Sequence, residues 1–464
     1  MRSICKNGAT RTRTMAWGQW CLWVGFVAGA ALLAGTAVLW IQLCSLVAFG
    51  LGSWLILMRR WPRKIPVLNY HSVSAYPEWL QIADHVSLTP AALERQLSYL
   101  SRQGYRTLFI SEVRQALTGK MRMKSRGRYV ALTFDDGYAD NWIAAFPLLR
   151  KYGMKATLFV SPGFVTEAPG CRPTIEKNDR AKWGGLDWSG YLTWPELKAM
   201  QASGLVEIQS HGEAHTRVFV EPELKGFVGP GKPNLWLFWN ALPEMRTQWW
   251  HKLAADRSLW GQPVFRQGPA LAHRAYRPDP DTVGRFLSWA REPGRAIFDS
   301  PGWEERLREE WMRRNADPAH QGSLEDPESY VRRVMEDLGR ARETLERELH
   351  TTVEVLCWPE NEFSPEGEAA ARQLGYKATV SNRHRSRNMV GETPGLIVRT
   401  FIGCRAAGIR SPGLDFAAFV LELKVFEGWY LLYPFLAVMH RAKKWVFALR
   451  RHCLCCRDYV SIWV

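Results

Sequence analysis

Beyond residue 64 the chain alternates short apolar runs with segments of helical period. Strands are expected at 66–70, 129–133, 156–160, 206–209, 353–357, 378–380 and 396–399, each dominated by Val, Leu, Ile, Ala, Thr or aromatic residues. Thr89-Pro90 reads as a helix start, and Leu93, Leu97 and Leu100 recur at helical spacing until Gly104 stops it. Further helices are expected at 111–117, 138–152, 193–202 and 364–374. Val331, Val334, Met335, Leu338, Ala341 and Leu345 form one apolar face of a charged helix, suited to packing on the rest of the chain. Such alternation predicts an α/β fold with a largely parallel sheet. Residues 219–324 interrupt it, being rich in Trp, Pro, Arg and Gly with little periodicity.

Two apolar stretches change that picture. No charged residue occurs from residue 15 to residue 58, a run of 44, against the roughly 20 that a membrane helix needs. A membrane anchor is therefore expected, either one long helix or two spans near 17–37 and 39–58. Basic residues flank both ends (Arg2, Lys6, Arg11, Arg13; then Arg59, Arg60, Arg63, Lys64). That pattern favours an even number of spans, whereas a single span would place the following domain across the membrane. Near the other end, 426–439 is almost wholly apolar and aromatic, and Arg441, Lys443, Lys444, Arg450 and Arg451 follow. Such a tail suits an interfacial helix with a basic face, or docking onto the folded domain.

Charge and cysteine content narrow the partners. The net charge of +16 calls for an anionic surface. No nucleic-acid motif accompanies it, so acidic lipid headgroups or an anionic glycan are preferred over nucleic acid. Nine cysteines, an odd number at irregular spacing, make no disulfide framework and lean towards a reducing compartment. Cys453, Cys455 and Cys456 lack a second set of ligands at zinc-site spacing and read as incidental thiols.

The chemistry concentrates in two segments. T-F-D-D-G-Y at 133–138 ends an apolar strand in two adjacent carboxylates and a glycine. S-H-G-E-A-H-T at 210–216 follows another strand and sets two imidazoles four residues apart, on one side of a loop or of a first helical turn. Together they supply a His₂-carboxylate set plus one spare carboxylate, the ligand count of a catalytic metal site with an open position. Successive residues of an extended chain point to opposite sides, so Asp135 and Asp136 are free to do different work. Ser210 and Thr216 are placed to orient the imidazoles. By contrast, G-F-V-G-P-G-K at 226–232 fails as a phosphate loop, because Pro233 stands where Ser or Thr is required.

These two segments resemble the first two motifs of the polysaccharide deacetylases, the family 4 carbohydrate esterases. Segments 66–73, 155–160, 355–359 and 374–380 are similar to the branch of biofilm poly-N-acetylglucosamine deacetylases. The resemblance covers roughly 64–218 and 325–402 and implies a distorted (β/α) barrel with its site at the C-terminal strand ends. On this basis the chain divides into an anchor at 1–60, barrel at 61–218 and 325–412, an insertion at 219–324 and a tail at 413–464.

By the same resemblance Asp136, His211 and His215 bind a divalent transition metal, Asp135 is the general base and His71 the general acid. Zn²⁺ is the expected metal, with Co²⁺, Ni²⁺ and Mn²⁺ as alternatives. The implied reaction is hydrolysis of N-acyl groups, acetyl or formyl, on an N-acetylated polysaccharide or a lipid-linked saccharide. The implied setting is the bacterial inner membrane, with the side open. A silent membrane scaffold for polysaccharide assembly is the rival reading. The chain departs from the family in its third motif, where Glu360 and Asn361 replace the usual tyrosine and glycine. Which arginine orients Asp135 is left between Arg277, in Tyr276-Arg-Pro-Asp279, and Arg399. Trp236, Trp239, Trp249, Trp250 and Trp260 of the insertion are candidates for stacking on sugar rings.

Overall fold

The computed structural model describes residues 43–50, 52, 64–80, 82–124, 127–177, 180–292, 294–314, 322–382, 388–389 and 395–452. Two compact units are separated, residues 1–62 and 63–464. In the first, the described residues 43–50 are helical.

The second unit is built on nine strands: β1 Val67–Tyr70, β2 Tyr105–Leu108, β3 Arg128–Phe134, β4 Ala156–Val160, β5 Val206–Ser210, β6 Val355–Cys357, β7 Ala378–Ser381, β8 Leu396–Val398 and β9 Thr400–Phe401. They form one parallel sheet in the order β8-β7-β6-β5-β4-β3-β1-β9, with β2 also on β3. The two ends of that order, β8 and β9, are separated in the chain by Arg399 alone. One extended segment thus pairs with β7 through its first half and with β1 through its second. The sheet curls into a nearly closed (β/α) barrel.

Alternate strand residues face opposite ways. Val67, Ala131, Phe159, Val355, Val380 and Ile397 share one apolar cluster. Leu68, Leu132, Phe134, Leu158 and Leu356 share another with Leu93, Leu97 and Leu338 of the surrounding helices. Helix α1 (Pro90–Arg102) begins as expected, with the Thr89 side chain accepting from Ala92 N. Helix α2 (Pro327–Leu349) buries Val334, Leu338, Ala341 and Leu345. The segment expected to be one helix from 138 opens instead with a π turn, Asn141–Ala145.

Between β5 and β6 the chain leaves the barrel. A long antiparallel pair, Arg217–Phe227 with Pro263–Pro269, carries most of this excursion. Trp236, Trp239 and Trp249 are buried, packing with Tyr138, Phe164 and Tyr191, and Trp250 lies against the same cluster. Trp260 packs on Phe298. The tail is also helical. Phe419 and Leu423 of Pro412–Glu427 join the main core, while Tyr433, Phe435, Val438 and Trp445 of Tyr433–His452 are exposed.

The membrane expectation is corrected. Among the described residues no helix is long and apolar enough to cross a membrane, so the transmembrane segments and the inner-membrane location are withdrawn. Residues 17–37, most of 39–58 and the Cys453, Cys455 and Cys456 cluster lie outside the described residues. The run of uncharged residues is a property of composition, whereas a membrane span also requires a continuous helix of about 20 residues.

Candidate active site

The expected site residues meet at the C-terminal ends of the strands. His71 follows β1, Asp135 and Asp136 follow β3, and His211 follows β5. They line a cleft of about 1410 Å³, together with His215, Arg217, Glu360 and Asn361. The inner-face alternation that buries Ala131 brings Asp135 to the top of the barrel core, where it is 1% exposed.

Arg399 resolves the question of the orienting arginine. It is itself 1% exposed and grips both Asp135 oxygens, with Nη1 to Oδ1 at 2.7 Å and Nη2 to Oδ2 at 2.5 Å. A bidentate, charge-assisted pair of this kind fixes orientation as well as charge. Arg277 is exposed and pairs with Glu325 instead. Burial would raise the Asp135 carboxyl, but Arg399, His211 and His71 outweigh it and hold the group below its ordinary value. His71 Nε2 stands 3.7 Å from Asp135 Oδ2, and the ring edge faces Phe401. Burial pulls the His71 imidazole below its ordinary value, against the opposing pull of Asp135.

Asp136 diverges from Asp135 by a turn rather than by strand alternation. Its φ is 68° and that of Gly137 is also 68°, so the chain leaves β3 in left-handed backbone. Asp tolerates that region better than most side chains. The turn leaves Asp136 Oδ1 at 3.3 Å from His211 Nε2 and 3.7 Å from His215 Nε2.

The histidine segment is a loop, shaped from three directions. Gly212 has φ 75°, and a Cβ there would meet Leu271 at 3.0 Å and Asp337 Oδ1 at 3.1 Å. Asp337 Oδ1 accepts from Glu213 N at 2.8 Å. Ser210 Oγ accepts from Gly212 N at 3.3 Å, so it shapes the loop instead of touching an imidazole. The group that orients His211 is the Cys357 carbonyl, 2.8 Å from Nδ1. A carbonyl can only accept, so Nδ1 carries a proton and Nε2 is the ring nitrogen turned towards Asp136.

This donor set fits a metal. Ligand atoms of Asp136, His211 and His215 all lie within 4.8 Å of one another. Asp136 Oδ1 is buried and makes no hydrogen bond, a costly state for a carboxylate oxygen. Burial would raise Asp136, yet the surrounding histidines drive it far below the carboxylate range.

Two sets of site residues escaped the sequence reading. Asn361 Oδ1 accepts from Arg399 Nη2 at 3.2 Å and from Asn382 N at 3.1 Å, so the altered third motif supports the arginine that holds Asp135. Asp140 is buried and accepts from Ser72 Oγ at 2.6 Å, Val73 N at 2.9 Å and Asn141 Nδ2 at 2.9 Å. Asn141 Nδ2 also donates to the His71 carbonyl at 2.8 Å, so this pair pins the backbone that carries His71. The signal was present in D-D-G-Y-A-D-N, two polar residues at the start of a buried helix.

Residues 122–233, a stretch that contains Asp135, Asp136, His211 and His215, match the family described as Polysaccharide deacetylase. The chain carries a polysaccharide deacetylase domain. Relatives align with parts of it. YxkH of Bacillus subtilis (strain 168), named for the same family, is 38% identical over 99 residues, covering 21% of this chain and 32% of that protein. The poly-β-1,6-N-acetyl-D-glucosamine N-deacetylase of Escherichia coli (strain K12) is 27% identical over 156 residues, covering 32% of this chain and 21% of that protein. The matched stretch thus spans less than a third of either relative's length. A solved de-N-acetylase from Aggregatibacter actinomycetemcomitans is 18% identical with a TM-score of 0.44, covering 72% of this chain and 94% of that one.

Proposed function

We propose that the chain is a metal-dependent hydrolase that removes N-acetyl groups from N-acetylglucosamine residues of a polysaccharide. The observation that carries this reading is the pairing of Arg399-held Asp135 with the Asp136, His211 and His215 donor set at one end of the barrel. Asp136, His211 and His215 would hold the metal, with Zn²⁺ the first choice for such ligands. A bound divalent ion there supplies Lewis acidity and makes a water acidic enough to be activated at neutral pH.

The remaining work falls to the side chains. Asp135 is kept ionised by Arg399 and is placed to take a proton from the attacking water. His71, with Nε2 3.7 Å from Asp135 Oδ2, would in its protonated form give a proton to the leaving amine nitrogen. Arg399 keeps the Asp135 carboxylate in one orientation through the cycle. The intact set of five residues favours an enzyme over a silent scaffold.

The test is metal content and acetate release for the full chain. Wild type should bind about one equivalent of transition metal and release acetate from poly-β-1,6-N-acetyl-D-glucosamine oligomers. The His211→Ala/His215→Ala variant should lose both. Equal metal content in the two proteins, or none in either after incubation with Zn²⁺, would sink the proposal.

A further inference from the structure

The turn after β6 holds two consecutive non-glycine residues in left-handed backbone, Glu360 at φ 52° and Asn361 at φ 62°. That conformation is costly and persists only where the surroundings impose it. Here Asn361 is tied down on both sides. Its Oδ1 accepts from Arg399 and Asn382, and its carbonyl accepts from Ser381 Oγ at 2.8 Å. The turn brings Glu360 into the wall of the cleft that also holds Asp136 and His215.

Against Glu360 stands Arg217, the first residue of the long antiparallel pair. Arg217 Nε lies 3.4 Å from Glu360 Oε1, with the two side chains 15% and 12% exposed. The contact is an ion pair in which Glu360 Oε1 makes no hydrogen bond. The guanidinium is braced by its carbonyl partner Gln267 at 3.2 Å and by the Trp236 ring at 5.6 Å, and Trp236 in turn stacks on His215. Trp236 is itself 3% exposed and offers no face to a sugar. Two polar groups beside the metal loop are therefore a carboxyl that burial raises to about 7 and a donor-only guanidinium, side by side in the cleft wall.

We propose that Glu360 and Arg217 form the subsite that reads the hydroxyl groups of the sugar ring whose acyl group is presented to Asp135. This rests on the deacetylase reading above. A pyranose offers adjacent hydroxyls, each able to donate and to accept. A paired carboxylate and guanidinium meet two of them at once, and hydrogen bonds to charged groups are the strong ones. The strained turn is explained on the same ground, because it is what carries Glu360 to the lip of the site.

The test separates the subsite from the reaction. N-Acetylglucosamine oligosaccharide binding is measured by calorimetry on full-length, zinc-loaded Asp135→Asn protein, alone and combined with Glu360→Ala, Glu360→Gln or Arg217→Met. Binding should weaken about tenfold or more in the Ala and Met variants, and less in Glu360→Gln, which keeps an accepting oxygen. Metal content should match across the set. Separately, wild type and Glu360→Ala are compared on the oligosaccharide and on a small acetyl ester without a sugar. The ratio of their kcat/KM values should fall about tenfold or more. Unchanged binding, or equal losses on both substrates with a lowered Tm, would show the pair to be a structural tie and overturn the proposal. Glu360-sensitive binding by a wild type that hydrolyses nothing would leave the subsite standing and remove the deacetylase reading.

Discussion

Asp135 and Arg399 show how one residue type gains a role from its surroundings. Each is 1% exposed and would be prohibitively costly alone; together they satisfy each other through two short hydrogen bonds. Asp140 illustrates the opposite case, a buried carboxyl without a cation against it. Burial raises it from 3.8 to about 6, with Ser72, Val73 and Asn141 pulling the other way. The folded protein therefore holds this proton more tightly than the unfolded chain does. Its contribution to stability is complete below pH 3.8 and is lost as pH rises through about 6. Asp140→Asn removes that dependence, so the variant should gain stability relative to wild type between pH 4 and pH 7 (about the window set by the two values). Urea midpoints across that range measure it, and parallel curves for the two proteins would contradict it. Asp135, Asp136, His211, His215 and His71 were all legible as candidates because their spacing is local. The carbonyl of Cys357 that orients His211 was not, since it lies 146 residues away in the chain.

Elements were legible where pattern and burial agree. Each of the seven expected strands has a counterpart in the sheet, and α1 and α2 begin at their caps. Two strands of that sheet were missed. Tyr105–Leu108 is four residues long with two polar positions between its buried ends, too short for alternation to register. Thr400–Phe401 is two residues beyond a strand already counted, and only its change of partner makes it separate. The helix expected from 138 contains a π turn because Asp140 and Asn141 bond sideways to the His71 segment. α2 is the element that ties the histidine loop to the core, through Asp337 and its buried apolar face. Leu338→Ala, at a position with 0% exposure, should cost about 2–5 kcal/mol. Thermal or denaturant unfolding reads that loss. A change within error would mean that this face is not packed as described.

At the scale of the molecule, closure of the barrel depends on strands from opposite ends of the folded unit. β9 pairs with β1, Thr400 against Leu68 and Phe401 against Asn69. Truncation after residue 395 removes β8, Arg399 and β9 together, opens the edges of β1 and β7, and leaves Asp135 without its cation. Open edges invite pairing between chains. The truncated protein should lose cooperative unfolding and aggregate, as light scattering and calorimetry would report; a sharp, full-amplitude transition would refute the closure argument. The sequence by itself determined the α/β alternation, the two carboxylates, the histidine pair and the family they resemble, because these are short-range patterns of hydrophobicity and spacing. Its membrane expectation for the long uncharged stretch finds no support among the described residues, where no helix is long and apolar enough to cross a membrane. Only the tertiary structure decided which arginine faces Asp135, what fixes the His211 tautomer and what the altered third motif supports. Those contacts join segments 264, 146 and 38 residues apart, and nothing in local pattern encodes which strand ends become neighbours once the barrel closes.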